Sequence, residues 1–437
     1  MTITSRLLLI ISLVVNLSFA TLRPSLADDN KKLIWFGGYI PRVNGVPHLT
    51  ARELTNGARA YDGFVIQGVI GSKDNAKSGE SLAWEVFTNH HYTLDKSDPN
   101  GDYIGDSLAN LQQLPQEPMG DRFLRINTSS YDKNGFDWTD DNFWDNVVNN
   151  LTVVSEFGQQ AGLLGIMLDT EQYARGGSLL VYSYNDMHKD PRYQNMSYAD
   201  FAALAERRGR QIMEALNSHM PSIIIFETMS YSRVSQHGSR NKLPFSPDSL
   251  LISMLDGMLA ASTPTTTFID GDEMAYYNYD LPEYFYNWAK VIKGPEQYNV
   301  RFQKYREQYL SQYQASFGIW LNRDHYYATT CPSLQGIKST GASCLGFGWC
   351  GDGKPISYSP AHFAYTVQRA ALAADKYVWF YSANNDPWLD PGQPNSLPTA
   401  YANAMREGVQ HANNPDLPSL PADFSTTTDA AVCGNSN

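Results

Sequence analysis

Basic residues are in short supply: 33 Lys and Arg stand against 45 Asp and Glu, leaving a formal charge of -12. Nucleic acid requires a basic footprint, so this balance excludes it as a partner. An acidic surface otherwise reports solubility and names no substrate. Cysteine is rarer still, with four in 437 residues, and no CxxC pair or His cluster accompanies them. That disfavours a metal site. HExxH is absent, as is an Asp-rich calcium loop, so neither a zinc protease nor a calcium-binding helix pair is indicated. The missing GxSxG elbow lowers serine esterase or lipase chemistry. No glycine-rich phosphate loop follows the first apolar run, and Gly37-Gly38 is too little to make one, which counts against an open dinucleotide-binding sheet. Beyond the N-terminus no apolar stretch is long enough to span a bilayer. No cofactor and no metal is implied.

The N-terminus itself is informative. Arg6 precedes LLLIISLVV, the run extends from Leu17 to Phe19, and Ser25-Leu26-Ala27 offers a small-x-small pattern before Asp28. These features describe a secretory signal peptide over 1–27, placing the mature chain outside the cell or in the periplasm, with no membrane attachment after cleavage. In that compartment Cys331, Cys344, Cys350 and Cys433 are expected to form one or two disulfides. Asn127, Asn150 and Asn195 each open a glycosylation sequon, meaningful in a eukaryotic host. Residues 413–437, rich in Pro, Ser, Thr and Asp, are expected to be a loose tail. Oligomeric state is left open.

Between these ends, eight short apolar runs recur: LIWFGGY (33–39), FVIQGVI (64–70), RFLRIN (122–127), LLGIMLD (163–169), SIIIFET (222–228), TTFIDGD (266–272), FGIWLN (317–322) and YVWFYS (377–382). They are continuous instead of alternating and rich in Ile, Val, Phe and Trp, which is the pattern of strands buried on both faces of a parallel sheet. Helical periodicity lies between them. Phe143, Trp144, Val147, Leu151, Val154 and Phe157 hold a helical period that Gly162 ends, and residues 198–217 and 359–375 carry further amphipathic patterns. Strands alternating with helices from 28 to 412 predict an α/β fold, a single (β/α)8 TIM barrel with long loops. An open doubly wound sheet is the alternative.

In such a barrel, chemistry sits where the strands end. The fourth run ends in Asp169-Thr170-Glu171-Gln172-Tyr173, the fifth in Glu227, and the sixth in Asp270-Gly271-Asp272-Glu273 with Tyr276 beyond. Asp324 follows the seventh run, and the eighth ends at Tyr381 with Trp388 beyond it. Period-two geometry puts Asp169, Glu171 and Tyr173 on one side if the strand continues through them. Two carboxyls so close cannot ionise independently, and a raised carboxyl suits a general acid. Cleavage of a glycosidic bond needs two carboxyl groups flanking it. Glu171 is the candidate general acid/base, and Asp169 is either nucleophile or the group that orients Glu171. Glu273 and Asp270 are candidates for the opposing carboxylate, although Asp and Gly together also make turns. Tyr173 and Trp388 would shape a sugar subsite. Trp35, Tyr39, Glu227, Tyr276, Asp324 and Tyr381 are further candidate contacts, since aromatic faces suit sugar rings. The residues thus point to a carbohydrate substrate. Open alternatives are a barrel that binds glycans without cleaving them and a carbohydrate esterase or lyase.

Taken together, these motifs resemble those of secreted (β/α)8 glycoside hydrolases. GIMLDTEQY is similar to the Asp-x-Glu strand end of chitinase-type barrels, where the Glu is the acid. It is also similar to the fourth-strand Asp nucleophile of α-glucosidase and α-galactosidase barrels, whose acid comes from strand six. YVWFYSANNDPW resembles the aromatic last strand of such enzymes. Where the full chitinase pattern has further Asp residues, this chain has Gly165 and Met167.

Overall fold

The computed structural model describes residues 30–36, 60–69, 86–98, 102–114, 119–128, 136–172, 180–235, 246, 248–277, 283–293, 304–320, 357–381 and 399–427. The expected signal peptide, all four cysteines, Tyr39, Tyr173, Asp324 and Trp388 lie outside them.

Each of the eight apolar runs contributes to a strand, and Tyr313–Ala315, outside them, adds a ninth. These are β1 (Lys32–Phe36), β2 (Gly63–Ile66), β3 (Asp121–Asn127), β4 (Gly165–Asp169), β5 (Ile224–Glu227), β6 (Thr267–Asp270), β7 (Tyr313–Ala315), β8 (Phe317–Trp320) and β9 (Tyr377–Tyr381). They form one 9-stranded sheet in the order β8-β9-β1-β2-β3-β4-β5-β6-β7, and every pairing in it is parallel. β7 and β8 are a single stave broken at Ser316. The lower half pairs with β6 and the upper half with β9, which turns the sheet into a nearly closed barrel. Ser316 staples the junction: its N–H donates to the Asp270 carbonyl at 2.9 Å and its Oγ to the Tyr377 carbonyl at 2.7 Å. The fold is therefore an α/β barrel of the (β/α)8 type.

Strand parity divides the apolar residues into two layers. Ile34, Phe36, Val65, Phe123, Met167, Phe226, Ile269, Trp320, Tyr377 and Trp379 fill the interior. Their neighbours Leu33, Trp35, Phe64, Leu124, Ile126, Ile166, Leu168, Ile225, Phe268 and Val378 pack outward against helices. Both faces are thus buried, which is why the runs do not alternate.

The longer helices among the described residues are α1 (Gly105–Leu111), α2 (Asp141–Ala161), α3 (Tyr198–Asn217), α4 (Leu251–Ala261), α5 (Tyr284–Lys293), α6 (Arg306–Gln312), α7 (Pro360–Ala373) and α8 (Thr399–Asn413). The three helical patterns in the sequence become α2, α3 and α7. Asp140 caps α2 by accepting from the Asn142 N–H at 2.9 Å, and Gly162 ends it at φ 67°. Ser359 caps α7, with Pro360 in the first turn. α3 and α4 cross where Gly209 and Gly257 face each other's backbones. A Cβ on Gly209 would lie 1.9 Å from the Met254 carbonyl oxygen, so only glycine allows this approach.

The first part of the expected loose tail is docked. Leu420 N–H donates to Gln368 Oε1 at 2.9 Å, Phe424 packs edge-on against His362, and Thr426–Thr427 pairs with Ser357–Tyr358. Among the described residues no helix is long and apolar enough to cross a membrane.

Candidate active site

The C-terminal ends of the strands open onto an interior whose two halves differ in chemistry. Along β3 the inward positions are Phe123, Arg125 and Asn127, and along β4 they are Met167 and Asp169. Register places Asn127 beside Asp169. Arg125 donates from Nε to Asp169 Oδ2 at 3.0 Å and forms a second, short contact from Nη2 to the same oxygen. Asn127 Nδ2 reaches that oxygen at 3.3 Å. This is a buried ion pair, with Arg125 7% and Asp169 3% exposed.

The strand stops at Asp169. The N–H of Glu171 folds back onto Asp169 Oδ1 at 3.1 Å, so the expected period-two continuation gives way to a turn held by the Asp side chain. The turn is pinned farther along by Gln172, which donates to Asp248 Oδ1 at 2.7 Å and accepts from the Tyr182 N–H at 2.7 Å. Glu171 itself is half-buried.

Glu273 arrives from the end of β6. It opens a short 3-10 turn, Glu273–Tyr277, and its N–H donates to the Thr228 carbonyl at 3.0 Å. Its Oε2 is enclosed without a hydrogen-bond partner. Burial pushes the Glu273 carboxyl well above the usual range, the charges of Glu171 and Asp169 push the same way, and Arg125 and Arg233 oppose them. Asp169, Glu171 and Glu273 therefore share one electrostatic neighbourhood.

The same mouth carries an aromatic wall. Trp320 lies 5.7 Å from Tyr276 and 5.5 Å from Tyr381 between ring centroids, and Tyr276 stacks on Tyr381 at 5.8 Å. Phe36 extends the wall at 5.6 Å from Tyr381. Gly318 makes room for it, since a Cβ there would lie 2.7 Å from both Tyr276 and Trp379.

Three candidates face away from this mouth. Asp270 shares its parity with outward-facing Phe268, is fully buried, and accepts from Ser232 Oγ at 2.6 Å and Ser232 N–H at 3.1 Å. Glu227 shares parity with Ile225 and takes the Tyr313 hydroxyl at 3.1 Å. Trp35 packs in the outer layer beside Tyr61. All three point into the outer layer of the barrel and not into its interior. Parity is the reason: each is one residue removed from an inward position. Conversely, the sequence reading passed over Arg125 and Trp320. The signal for Arg125 was a guanidinium inside an apolar strand, which needs a partner within reach. Among the described residues no three His, Cys, Asp or Glu side chains are grouped as a metal ion would need.

Compared with family models and with curated proteins, the sequence finds no match. Solved structures do align with it. A Streptomyces coelicolor protein assigned as a chitinase A aligns over 87% of this chain and 99% of its own, at 10% identity and a TM-score of 0.37. A chitinase from Chromobacterium violaceum covers 86% and 99%, at 12% identity and a TM-score of 0.35. The second catalytic domain of the Group II chitinase of Ostrinia furnacalis, solved with an N-acetylated chito-oligosaccharide, covers 90% and 99%, also at 12% and 0.35.

Proposed function

We propose that this protein is a secreted glycoside hydrolase acting on a poly- or oligosaccharide. One observation carries the reading: Asp169, Glu171 and Glu273 act on one another electrostatically in a barrel mouth that also carries the aromatic cluster of Phe36, Tyr276, Trp320 and Tyr381. A sugar ring has an apolar face and a polar edge, and this mouth offers an aromatic wall to the one and carboxyls to the other.

The roles follow from the charges. Asp169 is held in place by its ion pair with Arg125. Glu273, enclosed beside two other acids, is the group that keeps its proton and gives it to the leaving oxygen. Glu171, on the turn, is the partner that attacks the anomeric carbon or activates water.

The test is a panel of polysaccharides followed for release of reducing ends. Glu171→Gln and Glu273→Gln should each lower kcat by about 10²–10⁴-fold on the responsive substrate. Glu273→Gln should also abolish the alkaline fall of the pH profile. Full activity in either variant overturns its role. Binding without release would mark a glycan-binding barrel, and acid or unsaturated products an esterase or lyase.

A further inference from the structure

Arg125 is expensive where it stands. A guanidinium inside a barrel is strongly unfavourable unless it is paired and its N–H groups are used. Here the surrounding strands share that task. Asp169 of β4 takes Nε and Nη2, Gln67, just beyond β2, takes Nη1 at 3.0 Å, and the guanidinium lies 5.3 Å from the ring centroid of Phe36 on β1. A residue of β3 is thereby tied to its neighbours β2 and β4 and to β1 one strand farther on.

The contact continues toward the acids. Asp169 Oδ2 receives Arg125 and Asn127, while Oδ1 receives the Glu171 N–H at 3.1 Å and the Thr228 hydroxyl at 3.5 Å. Donors thus surround both oxygens, leaving the carboxylate no rotation that keeps these bonds. Two hydrogen bonds link the Arg125 guanidinium to the backbone that carries the Glu171 carboxyl. The Thr228 carbonyl, whose residue also contacts Asp169, holds the Glu273 N–H.

We infer that Arg125 is a positioning residue of this site: its planar fork fixes Asp169, and Asp169 fixes the turn that presents Glu171. Asp169 is then an anchor and not a nucleophile. A lysine at 125 would keep the charge but lose the fork, because a point-like ammonium cannot hold Asp169 and Gln67 in one plane. The role in catalysis rests on the glycosidase reading above, whereas the linkage from Arg125 to Glu171 does not.

The experiment therefore has a readout that needs no substrate. Hydrogen exchange of the Glu171 amide is measured in wild type, Arg125→Lys and Gln67→Ala, with the β3 amides of Leu124 and Ile126 as internal controls. Arg125→Lys should speed the Glu171 exchange at least tenfold and Gln67→Ala at least threefold, with the control amides unchanged. On whichever polysaccharide wild type cleaves, Arg125→Lys should lower kcat at least tenfold with KM within twofold. Adding Asp169→Asn to it should bring no loss beyond that of Asp169→Asn alone. A wild-type Glu171 exchange rate in a folded Arg125→Lys protein overturns the inference, as does multiplication of the two kinetic effects. Should Arg125→Lys fail to fold, an unchanged exchange rate in Gln67→Ala overturns it equally. If wild type cleaves nothing, the glycosidase reading falls and the exchange result still decides the linkage.

Discussion

Glu227 and Asp270 are register partners on adjacent strands, both fully buried on the outer face of the barrel. Burial pushes the Asp270 carboxyl up to about 6, against the hydrogen bonds from Ser232 and Asp272. Burial also lifts Glu227 well above the usual range, and the charge of Asp270 adds to it. The folded chain thus keeps protons that the unfolded chain releases near pH 4. Their stabilising contribution is complete below that pH and is lost as pH climbs through the folded values. For Asp270 alone, a rise of roughly two units costs about 3 kcal/mol between about pH 4 and 6, at about 1.4 kcal/mol per unit. Glu227→Gln isolates the second group, since a neutral amide keeps the shape and can still meet the Tyr313 hydroxyl. Urea unfolding followed by tryptophan fluorescence should give the variant wild-type stability near pH 4. Above that, its advantage should grow by up to about 1.4 kcal/mol per pH unit until Glu227 ionises in the folded wild type. A difference that stays flat from pH 4 to 8, or a variant less stable at every pH, refutes the proton-holding pair.

Two other features can be tested the same way. Gly209→Ala places a Cβ 1.9 Å from the Met254 carbonyl oxygen, so α3 and α4 must separate. Overpacking of this kind costs about 1–3 kcal/mol, and calorimetry should show a lowered Tm, whereas an unchanged one would mean the helices part freely. Among the sequons, Asn127 and Asn150 are fully buried, and Asn150 is bonded to the His90 carbonyl at 2.8 Å, while Asn195 is exposed. Expression in a glycosylating eukaryotic host followed by glycopeptide mapping should find a glycan at Asn195 and none at the other two. Occupancy of Asn150 in protein with an unaltered melt would refute this.

The barrel was legible because a strand buried on both faces leaves an unmistakable continuous apolar run, and eight such runs were present. The break at Ser316 was not, since Tyr313-Gln314-Ala315 lacks that pattern; it is a short stretch whose place is fixed by Asp270 and Tyr377 from other strands. α4 was missed for the opposite reason: LISMLDGMLAA is apolar nearly all round, so no polar face marks a helical period.

At the site, what failed was parity. Asp169 and Glu227 both end apolar runs, yet one enters the barrel and the other its outer layer, and nothing within either run says which. The discriminating information is relational. Arg125 lies two positions beyond inward Phe123, just as Asp169 lies two beyond inward Met167, and the parallel register Phe123↔Gly165 sets Asn127 beside Asp169. An arginine in one apolar run and an aspartate ending the next, both at inward parity, demand each other, because neither charge is tolerable there alone. That pairing orients both strands at once and makes Asp169 the inward acid. The inward charge of RFLRIN, Arg125, thus constrains the mouth more tightly than the acid-rich DGDE turn, where Asp270 and Asp272 are buried against Ser232 and Tyr284 and only Glu273 joins Asp169 and Glu171.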